Sequence, residues 1–310
     1  MLYHLPIKLF KNQTMSNISN RRNAIKNILV GSAALGSSSV LTSFTTSEII
    51  KDNQLKLKGN INHSVCQWCY GSIPLEDLCI AVKKIGFNAI DLIGPKDWPI
   101  LKKHGIYSSM CNGAEINLTD GFAEKKFHAQ LISNYNSVIP QVAAAGYKNL
   151  ICFSGSRRGM DDETGLKNAA EGLKKIIGLA EKNGVTLQME LLNSKVDHKD
   201  YMCDKSAWGV ELCKRVGSPN FKLLYDIYHM QIDEGDVIRT INENHQYFGH
   251  YHTGGVPGRH EIDDSQELYY PAIMRAIKAT GFNDYVAQEF IPAKEDKLKS
   301  LKDAILLCDI

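Results

Sequence analysis

The feature that most constrains this chain is a regular alternation of two kinds of segment. Apolar, β-branched runs of strand length recur at 61–67, 87–93, 106–111, 148–154, 184–191, 221–227, 246–252 and 284–290, with helix-like stretches between them. That pattern predicts eight strands. Pro74 opens a helix over Leu75–Ile85, further helical stretches cover 122–145, 162–182, 205–216 and 268–280, and Gly184, Gly217 and Gly281 stop the last three. Repeating units of roughly 30 residues, with no Gly-x-Gly-x-x-Gly turn, favour a closed (β/α)8 barrel over an open dinucleotide-binding sheet. The least patterned stretch is 227–245, which offers a short helix and the acidic turn Asp233-Glu234-Gly235-Asp236.

Length and charge fit one barrel with something in front of it. A barrel takes about 250 residues, and the chain has 310, of which 44% are apolar. Residues 1–50 carry five Lys or Arg against Glu48 alone, so the body keeps 31 of the 36 basic and 33 of the 34 acidic residues. A near-neutral body with scattered charges has no electrostatic footprint for nucleic acid. The basic end reads Asn20-Arg21-Arg22-Asn23-Ala24-Ile25-Lys26 and runs into small and apolar residues from Ile28 to Phe44. This predicts a twin-arginine export signal and a periplasmic protein, although no Ser or Thr precedes the Arg pair and no clean Ala-x-Ala site follows. Met15 lies just before the Arg pair, so the natural leader need not include the first 14 residues. The Ser/Gly-rich run is short for a membrane span of roughly 20 residues, so no stable insertion is expected. The division is then a leader at 1–50, a linker at 51–60 and a barrel at 61–310. The eight cysteines are dispersed and read as buried thiols, and Cys66-Gln67-Trp68-Cys69 has redox spacing without a thioredoxin-like context.

Barrel active sites form at the C-terminal ends of the strands, where a polar residue is costly unless paired or liganded. Glu190 ends Val-Thr-Leu-Gln-Met-Glu, Asp226 ends Lys-Leu-Leu-Tyr-Asp, His252 ends Phe-Gly-His-Tyr-His and Glu289 ends Tyr-Val-Ala-Gln-Glu. They fall on strands five to eight in one register, about one βα unit apart. Taken singly, Asp226 reads as a helix cap, His252 as a core histidine and either glutamate as the partner of an arginine. Together, three converging carboxylates repel one another, and a divalent cation relieves that repulsion. Oxygen-rich ligation with one imidazole suits one Mn²⁺, with Mg²⁺ or Co²⁺ as alternatives, better than a structural zinc.

Met-Glu-Leu-Leu-Asn (189–193), Tyr-Asp-Ile-Tyr-His-Met-Gln (225–231), His-Tyr-His-Thr-Gly-Gly-Val-Pro-Gly-Arg-His-Glu (250–261) and Gln-Glu-Phe-Ile-Pro (288–292) resemble hydroxypyruvate isomerases. More broadly, they resemble the xylose-isomerase-like barrels that include tagatose 3-epimerases. The resemblance implies that Glu190, Asp226, His252 and Glu289 bind the metal, that His229 and Arg259 contact substrate oxygens, and that the two glutamates move the proton. The implied reaction converts hydroxypyruvate to 2-hydroxy-3-oxopropanoate through a cis-enediolate. Two departures bear on the substrate. Hydroxypyruvate isomerases carry Gln where this chain has His252, whereas the ketose 3-epimerases carry His, and the loop Asn193–Lys199 differs, so that Lys195 and His198 either select substrate or belong to a solvated loop. Proton return to the opposite face of the same carbon gives a ketose 3-epimerase, and loss of a β-hydroxyl gives a keto-sugar dehydratase. A non-catalytic periplasmic sugar-binding barrel is the reading from another class. An abasic-site endonuclease needs several zinc ions and a basic surface that the sequence lacks. The expected partner is a small hydroxycarbonyl or sugar substrate, and assembly into a homo-oligomer is compatible with everything above.

Overall fold

The structure is a computed structural model and describes residues 55–310. The leader assigned to 1–50 lies outside the described residues, as does the first part of the linker. All eight expected strands are present: β1 (Asn62–Val65), β2 (Ala89–Ile90), β3 (Tyr107–Ser108), β4 (Asn149–Cys152), β5 (Thr186–Glu190), β6 (Phe221–Asp226), β7 (Phe248–Thr253) and β8 (Tyr285–Gln288). Six form one parallel sheet in the order β1-β8-β7-β6-β5-β4, and β2 pairs with β3. Parallel bridges Cys66↔Asp91 and Cys111↔Leu150 tie the pair to the two ends of that sheet, closing the ring.

Helices α1 (Leu75–Ile85), α3 (His128–Ala145), α6 (Ser206–Val216) and α9 (Tyr270–Ala279) lie where the pattern puts them. The stretch 162–182 differs, because it is two helices, α4 (Asp162–Leu173) and α5 (Ile177–Asn183). Gly172 and Gly178 flank the break and lower the cost of leaving helical geometry there. The stretch 227–245 is also two helices, α7 (Ile227–Asp233) and α8 (Val237–Asn244), turned about Gly235 and Asp236 at positive φ. Two helices escaped the pattern: α2 (Trp98–His104), whose seven residues are too short to show a period, and α10 (Lys297–Cys308) after β8.

A large apolar core fills the space between strands and helices, whereas the barrel interior holds only a small apolar cluster of Met110, Ile151 and Leu224. Buried polar residues, among them Ser64, Asp91, Ser109, Asn149, Gln188 and His250, also occupy the strands and their ends. All eight cysteines are buried and free. Among the described residues no helix is long and apolar enough to cross a membrane.

Candidate metal centre

Glu190 is the last residue of β5, Asp226 the last of β6, His252 the last but one of β7, and Glu289 follows β8. Asp226 pairs directly with His252, but Glu190 sits opposite Leu224, and Glu289 lies one residue beyond the Thr253↔Gln288 pair. The expectation of a single register is therefore corrected. The four share one face of the ladder, with offsets of two residues that the tilt of barrel strands requires. On β7 a register shift inserts Gly249 between Phe248 and His250. A Cβ there would lie 2.7 Å from Gln188 Oε1 and 2.9 Å from Lys222 Cβ, so only glycine lets this strand seat and aim its two histidines.

One ligand atom from each of Glu190, Asp226, His252 and Glu289 lies within 4.8 Å of the other three, and all four residues are buried. His252 Nδ1 is 2.6 Å from Glu289 Oε2 and 3.3 Å from Glu190 Oε1. Neither Nδ1 nor Glu190 Oε1 is aligned for a hydrogen bond. Buried polar atoms that converge without bonding one another form a donor set suited to a cation. Asp226 serves twice. Its Oδ1 caps α7, accepting from the Tyr228 N–H at 2.8 Å and the His229 N–H at 3.3 Å, while Oδ2 faces the Arg259 Nη2 at 3.2 Å. The cap uses Oδ1 and leaves Oδ2 facing the cluster, so capping the helix does not exclude a ligand role for Asp226.

Arg259 sits inside the cluster. Its Nη2 donates to Glu289 Oε2 at 2.6 Å, and its guanidinium lies 5.2 Å from the rings of both Trp68 and Tyr228. Trp68 donates from Nε1 to Glu289 Oε1 at 2.8 Å. One guanidinium against three carboxylates leaves an excess that matches a divalent cation. Burial, then repulsion from Glu289, pushes the Glu190 carboxyl up; burial pushes Asp226 up despite Arg259. Glu289 is also penalised by burial, but His252 and Arg259 outweigh this and hold it low.

The remaining expected residues divide. Asn193 Nδ2 lies 2.6 Å from His229 Nδ1, which assigns the ring proton to Nε2; that atom has no hydrogen-bond partner and is 3.6 Å from Asp226 Oδ2. His198 approaches His229 with ring centroids 5.1 Å apart. Lys195 turns elsewhere, with its ammonium bonded to the Ile232 and Asp233 carbonyls at the end of α7. Sequence reasoning missed Trp68, His250, Asn193 and Asp91. Asp91 had a signal, because it interrupts the apolar run 87–93 near its end, as Glu190 does in its own strand.

Fold and site define a parallel α/β barrel with a buried cluster of carboxylates and an imidazole at its mouth that could hold a metal ion. The family model described as xylose isomerase-like TIM barrel matches residues 79–306, and the chain belongs to that family. It is 34% identical over 122 residues to a 2-oxo-tetronate isomerase of Cupriavidus necator, a match covering 39% of this chain and 46% of that protein. The chain thus spans about half the length of this curated relative. Two solved structures share the fold. An AP endonuclease, family 2, of Brucella melitensis superposes with TM-score 0.70 at 23% identity, covering 78% of this chain and 96% of that one. D-psicose 3-epimerase of Clostridium cellulolyticum, solved with D-tagatose, gives TM-score 0.60 at 19% identity over 79% and 90%.

Proposed function

We propose that this chain is a metal-dependent isomerase of the hydroxypyruvate isomerase kind, converting a small α-hydroxycarbonyl compound through a cis-enediolate. The convergence of two glutamates with Asp226 and His252 inside 4.8 Å carries the reading. A divalent cation held by these four, Mn²⁺ by preference and Mg²⁺ or Co²⁺ otherwise, supplies Lewis acidity toward the substrate carbonyl. Glu190 and Glu289 come from strands on either side of β6 and β7, so one takes the α-proton and the other returns it. The unpartnered His229 Nε2–H donates to the oxygen on which charge develops. Arg259 holds Glu289 in place and, with Trp68 and Tyr228, walls the site from water.

A second reading, epimerisation of a ketose or keto-sugar, draws on Arg259. Its Nη2 and Nε already serve Asp226 and Glu289, which leaves Nη1 but no free two-pronged face for a substrate carboxylate, and a neutral polyol needs no such fork. Incubating the Mn²⁺-loaded protein in deuterated water with hydroxypyruvate, 2-oxo-tetronate and ketoses tests both. Deuterium entering the α-carbon of one substrate supports an isomerase or epimerase, and the product separates them. A protein that binds sugar without exchange is the non-catalytic barrel, and the proposal fails. Export by the Arg21-Arg22 leader is likewise a proposal, checked by whether replacing both arginines with lysine abolishes periplasmic accumulation.

A further inference from the structure

A buried carboxylate beneath the candidate metal centre plays no part in the chemistry above. Asp91 follows β2 and is fully buried. Its partners come from other strands. Oδ2 accepts from His252 Nε2 at 2.8 Å, while Oδ1 accepts from the Ser109 hydroxyl and lies 3.2 Å from His250 Nε2. The Ser109 hydroxyl is in turn 2.5 Å from that of Ser64 on β1. The backbone is bent to allow this. Leu92, the next residue, has φ 59°, a left-handed conformation held by its N–H donating to the Met110 carbonyl at 2.9 Å and its carbonyl accepting from Asn112 Nδ2 at 3.0 Å. That conformation costs a bulky residue on the order of 1 kcal/mol, a strain that persists where the surrounding contacts over-determine it.

A neutral imidazole has one N–H proton and two nitrogens. An acceptor fixed at Nε2 keeps the proton there and leaves the lone pair on Nδ1. In His252, Nδ1 is the nitrogen that faces Glu190 and Glu289. We infer that Asp91 is a positioning residue that fixes the ring orientation and tautomer of His252, so that Nδ1 presents its lone pair to the cation. The inference rests on the metal reading above and adds to it a residue that touches neither metal nor substrate.

Two measurements on the full chain, with Asp91→Ala and Asp91→Asn beside the unaltered protein, test it. The first counts bound Mn²⁺ and its affinity by electron paramagnetic resonance. The second follows the Nε2–H signal of His252 by nitrogen-15 NMR without metal, assigned by its loss in His252→Gln. We expect one ion per chain, binding about 10–100-fold weaker in Asp91→Ala, the range for losing the acceptor behind a ligating histidine. The amide oxygen of Asp91→Asn still accepts, so it should restore part of the affinity and keep the Nε2–H signal that Asp91→Ala loses. A merely structural role would not give that rescue. Affinity in Asp91→Ala within about twofold of the unaltered protein overturns the inference while leaving the metal reading intact. Two ions falling to one would make Asp91 a ligand and also overturn it. If the unaltered protein binds no Mn²⁺, the metal reading fails, and the NMR signal alone decides whether Asp91 holds the ring. Should Asp91→Ala not fold, Asp91→Leu, of closer volume and equally without an acceptor, takes its place with the same outcomes.

Discussion

Toward the N-terminal ends of its strands the barrel buries amides whose N–H groups all find acceptors, and at the C-terminal ends it buries acids and imidazoles of which several atoms stay unpaired. Asn149 Nδ2 donates to the Ser109 carbonyl at 3.0 Å and to Asp284 at 3.2 Å, and Gln188 Nε2 donates to Asn149 Oδ1 at 2.9 Å and to the Gly249 carbonyl at 3.2 Å. At the mouth, Glu190 Oε1 and His252 Nδ1, 3.3 Å apart, and His229 Nε2, 3.6 Å from Asp226 Oδ2, all lack hydrogen-bond partners. Burying a polar atom is costly in both places. Where partners are built in, the cost is met within the fold and the residue serves stability. Where unpartnered atoms converge, something from outside is meant to meet them.

The comparison breaks most sharply at Glu289. On the proposed chemistry Glu289→Gln keeps the shape but removes the carboxylate base, so turnover should fall by about 10²-fold or more while metal binding weakens modestly. Glu190→Gln should behave alike, and the double variant should cost far less than the product of the two, because removal and return of the proton are one process. Steady-state rates with α-proton exchange check this, and near-normal exchange in Glu289→Gln would refute the assignment. Stripping metal from the mouth should come next. At 100 to 1,000 times the dissociation constant a ligand stabilises by about 3–4 kcal/mol, so chelation should lower the melting temperature by roughly 6–16 °C in a chain of this size. A melting temperature indifferent to chelator and to added Mn²⁺ would count against a cation site.

A third test lies away from the mouth. His63 on β1 is buried 3.8 Å from Asp309, and burial lowers its ring from 6.5 to about 4 despite the nearby carboxylate. The folded state thus keeps the ring neutral where the unfolded chain takes a proton. Stability from this group is complete above about pH 6.5 and is lost as the pH falls toward 4, by up to about 3 kcal/mol at 1.4 kcal/mol per unit. Urea unfolding at pH 7.5 and 4.5 should show that loss, and His63→Gln should remove much of it. The smallest effect belongs to the amide layer. Asn149→Ala leaves one of the two Gln188 amide hydrogens without its acceptor and should cost about 1–3 kcal/mol, with turnover per folded molecule unchanged. A large fall in turnover instead would erase the distinction between the two ends.

The sequence by itself determined the number of strands, the four side chains that converge at the mouth and the family resemblance. Each rests on a local signal: an apolar run read over a few residues, or a polar residue that breaks such a run at its end. Asp226 was legible on both counts, as a helix cap and as a member of the converging set, because Asp-Ile-Tyr-His places the carboxylate at a strand end one residue before a helix. The tertiary structure decided what depends on closing the ring. Lys195 and His198 share one loop and look equivalent in sequence, yet Lys195 caps α7 and His198 approaches His229. Trp68 gives no warning in Cys-Gln-Trp-Cys that it will bond Glu289, 221 positions away. Asp91 meets His252 across 161 positions only because β1, β2 and β7 come together as the barrel closes. Contacts of that kind leave no period and no motif in a single chain, since the geometry that makes them exists only after the strands have tilted and joined.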